Sequence, residues 1–323
     1  MKEYWGLDQI PPDSPRCVLT IGNFDGVHRG HRAILVRCGE KAGAAGLQAA
    51  ALIFDPHPAK IVRPGQTPAL LTPPAERLRQ FEKLGITLAV VMKFTAEVAA
   101  MSPGEFVAEV VVKRLRASSV IVGENFRFGC RQAGDYRALR ALGEEFGFEA
   151  EAVPAFQVGA DPVSSTRVRS AARAGDMRLA RHLLGRPFSL RGQVVEGHGI
   201  GARATVPTLN LAPDSEVMPA GGVYITATCD VDTGRIWNSV SNVGYRPTFD
   251  GDDLSVETHV LDEFEGEPPA AIRVSFLKRL RSERRFPSPD GLKQQILADI
   301  QSAQRYFRRL APLRETTETK AGP

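Results

Sequence analysis

Strand-like and helix-like segments alternate through the first half of the sequence, and the alternation stops at Gly185-Arg186-Pro187. Before that point, apolar runs at residues 17–21, 49–54, 88–92 and 119–122, and a strand-like stretch at 149–153, are separated by amphipathic stretches at 32–37, 76–84, 103–115 and 135–146. Such runs read as strands buried on both faces, the pattern of a doubly wound α/β domain with a parallel sheet. A helix at 177–184 then ends in a C-cap glycine followed by proline. Beyond it lie only short strands, at 188–195, 223–229, 237–243, 255–261 and 272–277, and one closing helix from about 291 to 310. Short strands with turn signals argue for a small β-barrel. In the closing helix Leu292, Ile296, Ile300, Ala303 and Phe307 fall on one face. The 323 residues therefore divide into an α/β domain at 1–187, a barrel domain at 188–312 and a polar tail at 313–323 that is expected to be disordered.

Charge and cysteine usage narrow the function classes. The 41 Lys and Arg against 37 Asp and Glu leave a net charge of +4, too small to require nucleic acid or an anionic membrane, and enough for anionic small molecules. Cys17, Cys38, Cys130 and Cys229 form no C-x-x-C pair, which suits reduced thiols in the cytoplasm. The N-terminus lacks the apolar core of a signal peptide, and no run is long enough to span a bilayer.

The stretch Gly22-Asn23-Phe24-Asp25-Gly26-Val27-His28-Arg29-Gly30-His31 joins the first strand to the first helix. Gly22, Gly26 and Gly30 allow a tight turn and close approach to a ligand, and amides opening a helix favour a phosphate. His28 and His31, three apart, can present imidazoles to a phosphoryl group in its most charged state. A turn without a ligand, a metal-binding pair and a helix cap are the alternatives. Asp55-Pro56-His57-Pro58 follows the second strand, where prolines hold Asp55 and His57 at the carboxyl edge of the sheet. In the loop 123–129, Phe126 and Phe128 can face a flat ring system while Asn125 hydrogen-bonds to it or to a phosphate; a hydrophobic plug under a loop is the alternative. Ser164, Ser165 and Thr166 lead into a helix whose first turn carries Arg167 and Arg169. Cations there run against the usual preference, so a second phosphate clamp is expected; an ordinary N-cap explains the hydroxyls alone.

In the second half, a glycine-rich stretch with Gly197 and Gly201 runs into Pro207-Thr208-Leu209-Asn210. A hairpin loop would explain the glycines. A rigid turn presenting Thr208 and Asn210 can supply oxygen ligands to Mg2+ bound with ATP. Glu257 and His259 share a face of one strand, either a solvated face or a pocket wall where Glu257 acts as general base for phosphoryl transfer.

These motifs, in this order, resemble the bacterial bifunctional riboflavin kinase/FAD synthetase family, and the turn at 22–31 resembles the H-x-G-H nucleotidyltransferase superfamily. The resemblance covers about residues 17–307 and implies phosphorylation of riboflavin to FMN in the barrel domain, then adenylylation of FMN to FAD in the α/β domain, with ATP and Mg2+. It implies that Thr208 and Asn210 hold the metal and Glu257 deprotonates the ribityl hydroxyl. It further implies that Asp55, His57, Phe126, Phe128, Val223, Tyr224 and Arg281 contact flavin, and that Gly22, Phe24, Gly26, Gly30, Ser164, Ser165, Thr166, Arg169, Gly197 and Gly201 contact nucleotide or phosphate. The implied partners are small molecules, with no nucleic acid and no membrane, in a monomer or weak homo-oligomer. The sequence departs from the family at Thr205 and Leu209, where Gly and Ala are common elsewhere, and lacks the L-Y-G turn after Asp262. These departures leave open a barrel that only binds flavin; an RNA-binding protein using 279–285 is a third reading.

Overall fold

The computed structural model describes residues 1–195, 208–248, 251–262 and 267–318, of which 245–248, 251–254 and 311–318 are described by their backbone alone. The chain divides into two compact units, Met1–Val168 with Leu183–Gly185, and Arg169–His182 with Arg186–Pro323.

In the first unit the strands are β1 (Lys2–Tyr4), β2 (Cys17–Ile21), β3 (Gln48–Asp55), β4 (Leu88–Lys93), β5 (Ala117–Gly123) and β6 (Glu149–Val153). The helices between them are α1 (Arg29–Ala45), α2 (Pro58–Val62), α3 (Pro74–Glu82), α4 (Ala96–Ala100), α5 (Pro103–Phe106) and α6 (Tyr136–Phe146). The sheet has the order β1-β4-β3-β2-β5-β6, with every neighbouring pair parallel. Successive strand residues serve opposite faces. Leu19, Ile21, Leu52 and Val90 pack with Val107, Val110 and Val111, whereas Val18, Ala51 and Ile53 pack with Leu35, Leu78 and Phe81. This two-sided burial is what the continuous apolar runs require. Only three residues long, β1 is too short to show a period and was not expected. The helix expected at 103–115 is α-helical only in α5 and continues as a π-helix at Val107–Arg114, where Leu115 N bonds to Val110 O. From β2 the chain moves outward through β3 and β4, then returns to the other side of β2 as β5. The gap between the carboxyl ends of β2 and β5 is thus the switch point, where ligands bind in open α/β sheets.

A short hairpin, β7 (Gln157–Val158) and β8 (Asp161–Pro162), precedes α7 (Ser165–Ala174) and α8 (Met177–Leu184). The barrel strands are β9 (Phe188–Val195), β10 (Thr208–Pro213), β11 (Gly222–Asp230), β12 (Ile236–Thr248), β13 (Gly251–Val260) and β14 (Ala271–Ser282), followed by α9 (Pro289–Glu318). They close in the order β10-β13-β12-β11-β14-β9, with β9 pairing antiparallel to β10. A Cβ at Gly192 would run into the carbonyl of Ala212, so the seam closes only through glycine there. Inside the barrel, Thr226, Thr228, Ser239, Ser241 and Thr258 are fully buried and joined by hydroxyl hydrogen bonds of 2.8 Å. On the opposite face Val223, Ile225 and Val240 pack with Ala303, Tyr306 and Phe307 of α9.

Two elements differ from what the sequence predicts. Thr208 to Asn210 is not a turn but the start of β10, a strand too short and too close to proline to stand out by period. The apolar face foreseen on α9 is buried only in its later part: Ala303 is sealed, but Leu292 and Ile296 are 42% and 41% exposed. That helix also runs to Glu318, into the expected tail; residues 319–323 lie outside the described residues.

Candidate functional sites

The first site is built on the turn after β2. Phe24, Gly26 and Val27 have φ of 48°, 81° and 39°, left-handed values that are costly for a β-branched residue such as Val27 and persist because the surroundings impose them. The imposing contacts come from residues 71 and 72. The Asp25 carboxylate accepts from the amides of Leu71 and Thr72, each at 3.0 Å, and Gly26 N donates to Thr72 Oγ1 at 3.0 Å. Ser165 Oγ donates to the Asp25 carbonyl at 2.9 Å, tying the start of α7 to the same turn.

The two histidines do different things. His28 is the N-cap of α1, its Nδ1 accepting from His31 N at 3.3 Å. A neutral ring whose Nδ1 accepts carries its proton on Nε2, so His28 is held as an Nε2–H donor. The His31 ring stacks on it, centroids 3.5 Å apart and planes at 17°. Phe24, buried in the core, meets His31 edge-on at 5.2 Å and Phe81 at 5.4 Å. Phe24 is therefore a prop for His31. A Cβ at Gly30 would lie 3.3 Å from the His28 ring, so Gly30 leaves room for the stack.

Beside this turn, at the switch point, is a cavity of about 740 Å3. Gly22, Asn23, His57, Asn125, Phe126 and Phe128 all contribute to its wall, with Phe54, Phe94 and Phe106 adding apolar surface. The Phe126 and Phe128 rings lie 5.4 Å apart at 14°. His57 caps α2 as His28 caps α1, its Nδ1 accepting from Ala59 N at 3.1 Å. Its Nε2 lies 3.2 Å from the Asn23 amide, which links the two loops. Asp55 is not in that wall; it ends β3 opposite Lys93.

The hydroxyls before α7 are shared between roles. Ser164 Oγ accepts from Arg167 N at 3.3 Å as an N-cap would, Thr166 is exposed, and Arg169 is buried on the same helix. The Arg167 guanidinium donates to the carbonyls of Val158, Asp161 and Pro162. It fastens the β7–β8 hairpin, so one of the two arginines that seemed to call for an anion has a structural explanation.

The second site lies on the outer face of the barrel. Glu257 stands opposite Asn210 on β10 and opposite Asn242 on β12. Two pairs along, Thr208 stands opposite His259, which stands opposite Val240. Alternation therefore puts Thr208, Asn210, Asn242, Glu257 and His259 on one face. Leu209, pairing with Thr258, is turned to the interior, so its extra bulk does not crowd that face. Hydroxyl, amide and carboxylate oxygens suit a hard divalent cation. Among the described residues, no three His, Cys, Asp or Glu side chains form a metal-binding group. Val223 shares the Glu257 row but is buried in the cluster with Ala303. Arg281, next in the row, pairs with Asp299 of α9 at 2.9 Å. Tyr224 is not brought to this face. It is sealed in the interior, its hydroxyl donating to Ala220 O at 2.5 Å and held above its ordinary pKa by burial. Gly197, Gly201 and Thr205 lie outside the described residues.

Asn23 and Asn242 lie in motifs evident from the sequence but are not among the site residues expected from it, and neither are Thr72 and Arg77. Arg77 carried a signal, since it shares the buried stripe of α3 with Phe81, four residues on.

Two stretches of the chain are similar to known families. Residues 10–167 match the family model described as FAD synthetase, and residues 184–307 match that of riboflavin kinase. The bifunctional riboflavin kinase/FMN adenylyltransferase of Escherichia coli (strain K12) is 36% identical over 301 residues, covering 93% of this chain and 95% of its own. Its counterparts from Pseudomonas fluorescens and Bacillus subtilis (strain 168) are 38% and 31% identical, over 92% and 93% of this chain and 95% and 96% of their own. A crystal structure from Streptococcus pneumoniae described as a macrolide-efflux protein superposes with a TM-score of 0.84 at 27% identity, covering 94% of this chain and 98% of its own. In the present chain, no helix among the described residues is long and apolar enough to cross a membrane.

Proposed function

The chain belongs to the bifunctional riboflavin kinase/FMN adenylyltransferase family, and from that premise we propose how its residues divide two reactions. The protein phosphorylates riboflavin to FMN and adenylylates FMN to FAD, with ATP as the second substrate of each step. We assign adenylyl transfer to residues 1–187 and phosphoryl transfer to 188–312.

In adenylyl transfer an oxygen of the FMN phosphate attacks the α-phosphorus of ATP, the α–β bridging bond breaks, and pyrophosphate leaves. The attacking oxygen is already ionised, so catalysis is placement and charge stabilisation. His28 Nε2–H donates to the phosphate chain, with His31 stacked against it. Ser164, Ser165, Thr166 and Arg169 receive the departing pyrophosphate. The flavin lies in the cavity against Phe126 and Phe128, with Asn125 and His57 at its polar edge. The observation that carries this reading is the His28 N-cap bond, which selects the tautomer a phosphate needs.

In phosphoryl transfer the terminal ribityl hydroxyl attacks the γ-phosphorus of ATP, its proton passes to Glu257, and ADP leaves. Thr208 and Asn210 would hold Mg2+, which supplies charge neutralisation to the ATP phosphates. Support comes from the shared face of Thr208, Asn210 and Glu257. The four free cysteines, of which burial pushes Cys17 and Cys38 up to about 12, support action in a reducing cytoplasm. Riboflavin and magnesium-ATP given to the purified protein should yield FMN and then FAD by chromatography. If neither product forms, this reading fails.

A further inference from the structure

Arg77 is 2% exposed and among the largest fully buried side chains in the chain. It rises from α3, one helical turn from Phe81, and its Nη1 donates to the carbonyl of Asn23 at 2.5 Å. Its Nε is buried without a hydrogen-bond partner. Burial lowers its pKa, and the carboxylates of Asp25 and Asp55 oppose that effect; an arginine so placed stays charged. Both carboxylates belong to segments already described. Asp25 lies in the turn that presents His28 and His31, and Asp55 ends the strand leading to His57.

Leucine or methionine would fill this stripe of α3 without burying a charge. A buried guanidinium is costly unless it is bonded and compensated. Here it is bonded to a single backbone carbonyl, and that carbonyl belongs to the residue whose side-chain amide meets His57 Nε2. The guanidinium therefore fixes the point at which the phosphate-facing turn and the flavin-facing loop join.

We propose that Arg77 is the positioning residue of the adenylyl-transfer site, setting the placement of the His28–His31 turn against the His57 loop and supplying fixed positive charge behind the phosphate path. It touches neither substrate; it acts through Asn23. The proposal rests on the assignment of adenylyl transfer to this turn. Its consequence is a loss of turnover rather than of binding, because misplacement of reacting groups by an ångström costs about 100-fold in rate while much of the substrate contact survives.

The test uses the full chain with Arg77→Met, which keeps volume and removes charge, and Arg77→Lys, which keeps charge with a shorter reach. Both activities are measured on each, FMN to FAD and riboflavin to FMN, together with thermal unfolding. Arg77→Met should lower kcat for FAD formation by about 10- to 100-fold, with KM for FMN and ATP shifting by less than about 3-fold. Arg77→Lys should recover part of the loss, and riboflavin phosphorylation should stay at the wild-type rate in both. A parallel fall of both activities with loss of folding, or Arg77→Met forming FAD within about 2-fold of wild type, would overturn the proposal. His28→Asn in the same assay separates the two levels. If it loses FAD formation while Arg77→Met does not, only the positioning role fails; if neither affects it, the assignment of the turn fails.

Discussion

His28 and His31 stack at 3.5 Å while the His28 imidazole caps the helix by accepting from the backbone amide of His31. One hydrogen bond thus starts α1 and sets a tautomer. Asn is also a strong N-cap, so His28→Asn keeps the helix start and removes the imidazole. FAD formation from FMN should fall about 100- to 1,000-fold, with stability changed by less than about 1 kcal/mol. Steady-state kinetics and thermal unfolding check the two halves of this expectation.

Gly26 combines a φ of 81° with a hypothetical Cβ only 2.7 Å from Leu71 Cδ1. Gly26→Ala should destabilise the first unit by about 1–3 kcal/mol and lower FAD formation, because the Asp25 and Thr72 bonds that shape the turn shift with it. Denaturant unfolding reports the first effect. A variant with unchanged stability would show that the turn is not held as described.

Glu257 faces Asn210 and Asn242 across its two neighbouring strands. Glu257→Gln keeps that shape and removes the base, so FMN formation from riboflavin should drop about 100- to 10,000-fold. FAD formation from supplied FMN should be untouched. Unimpaired riboflavin phosphorylation would remove Glu257 from its role.

At the edge of the parallel sheet, Arg37 Nε donates to Glu151 at 2.5 Å, and Lys41 Nζ reaches Glu149 and Glu151 at 2.8 and 3.0 Å. The hydrogen bond from Arg37, aided by Lys41, holds the Glu151 carboxyl below its ordinary value of 4.5 against the opposing effect of burial. A carboxyl depressed in the folded state adds stability above its unfolded pKa and loses it as pH falls through the lowered value. Because the groups are partly exposed, that contribution is about 1 kcal/mol or less. The melting-temperature gap between wild type and Glu151→Gln should therefore be open at neutral pH and close on acidification below about 4.5. A gap independent of pH would contradict it.

The parallel sheet was legible because its central strands carry apolar runs, and the barrel because strand-like segments and turn signals follow one another there without helices between them, although β11 to β14 extend beyond the short segments expected. The candidate first site could be proposed from sequence where chemistry and backbone coincide in one segment, as at Gly22 to His31 and at Asn125 to Phe128. What depended on distant pairing was not. Thr208 and Asn210 read as a turn because nothing local shows that β9 and β13 flank them. Arg281, Val223 and Tyr224 lie close in register, yet α9 covers Val223, Asp299 engages Arg281, and strand alternation sends Tyr224 to the interior. Arg77 looked like one more charge on an amphipathic helix, although it shares the buried stripe.

In the function proposed, one chain carries two separate sites, with the turn at 22–31 acting only in adenylyl transfer and the Thr208–Asn210–Glu257 face only in phosphoryl transfer. The most direct measurement is complementation: His28→Asn and Glu257→Gln are each given riboflavin and magnesium-ATP alone, then mixed, and products are followed by chromatography. The first should give FMN without FAD, the second neither product, and the mixture FAD, as FMN released by one variant is adenylylated by the other. No FAD from the mixture, although each variant retains its remaining single activity, would contradict free transfer of FMN between independent sites. Loss of both activities in either folded variant would contradict the division itself.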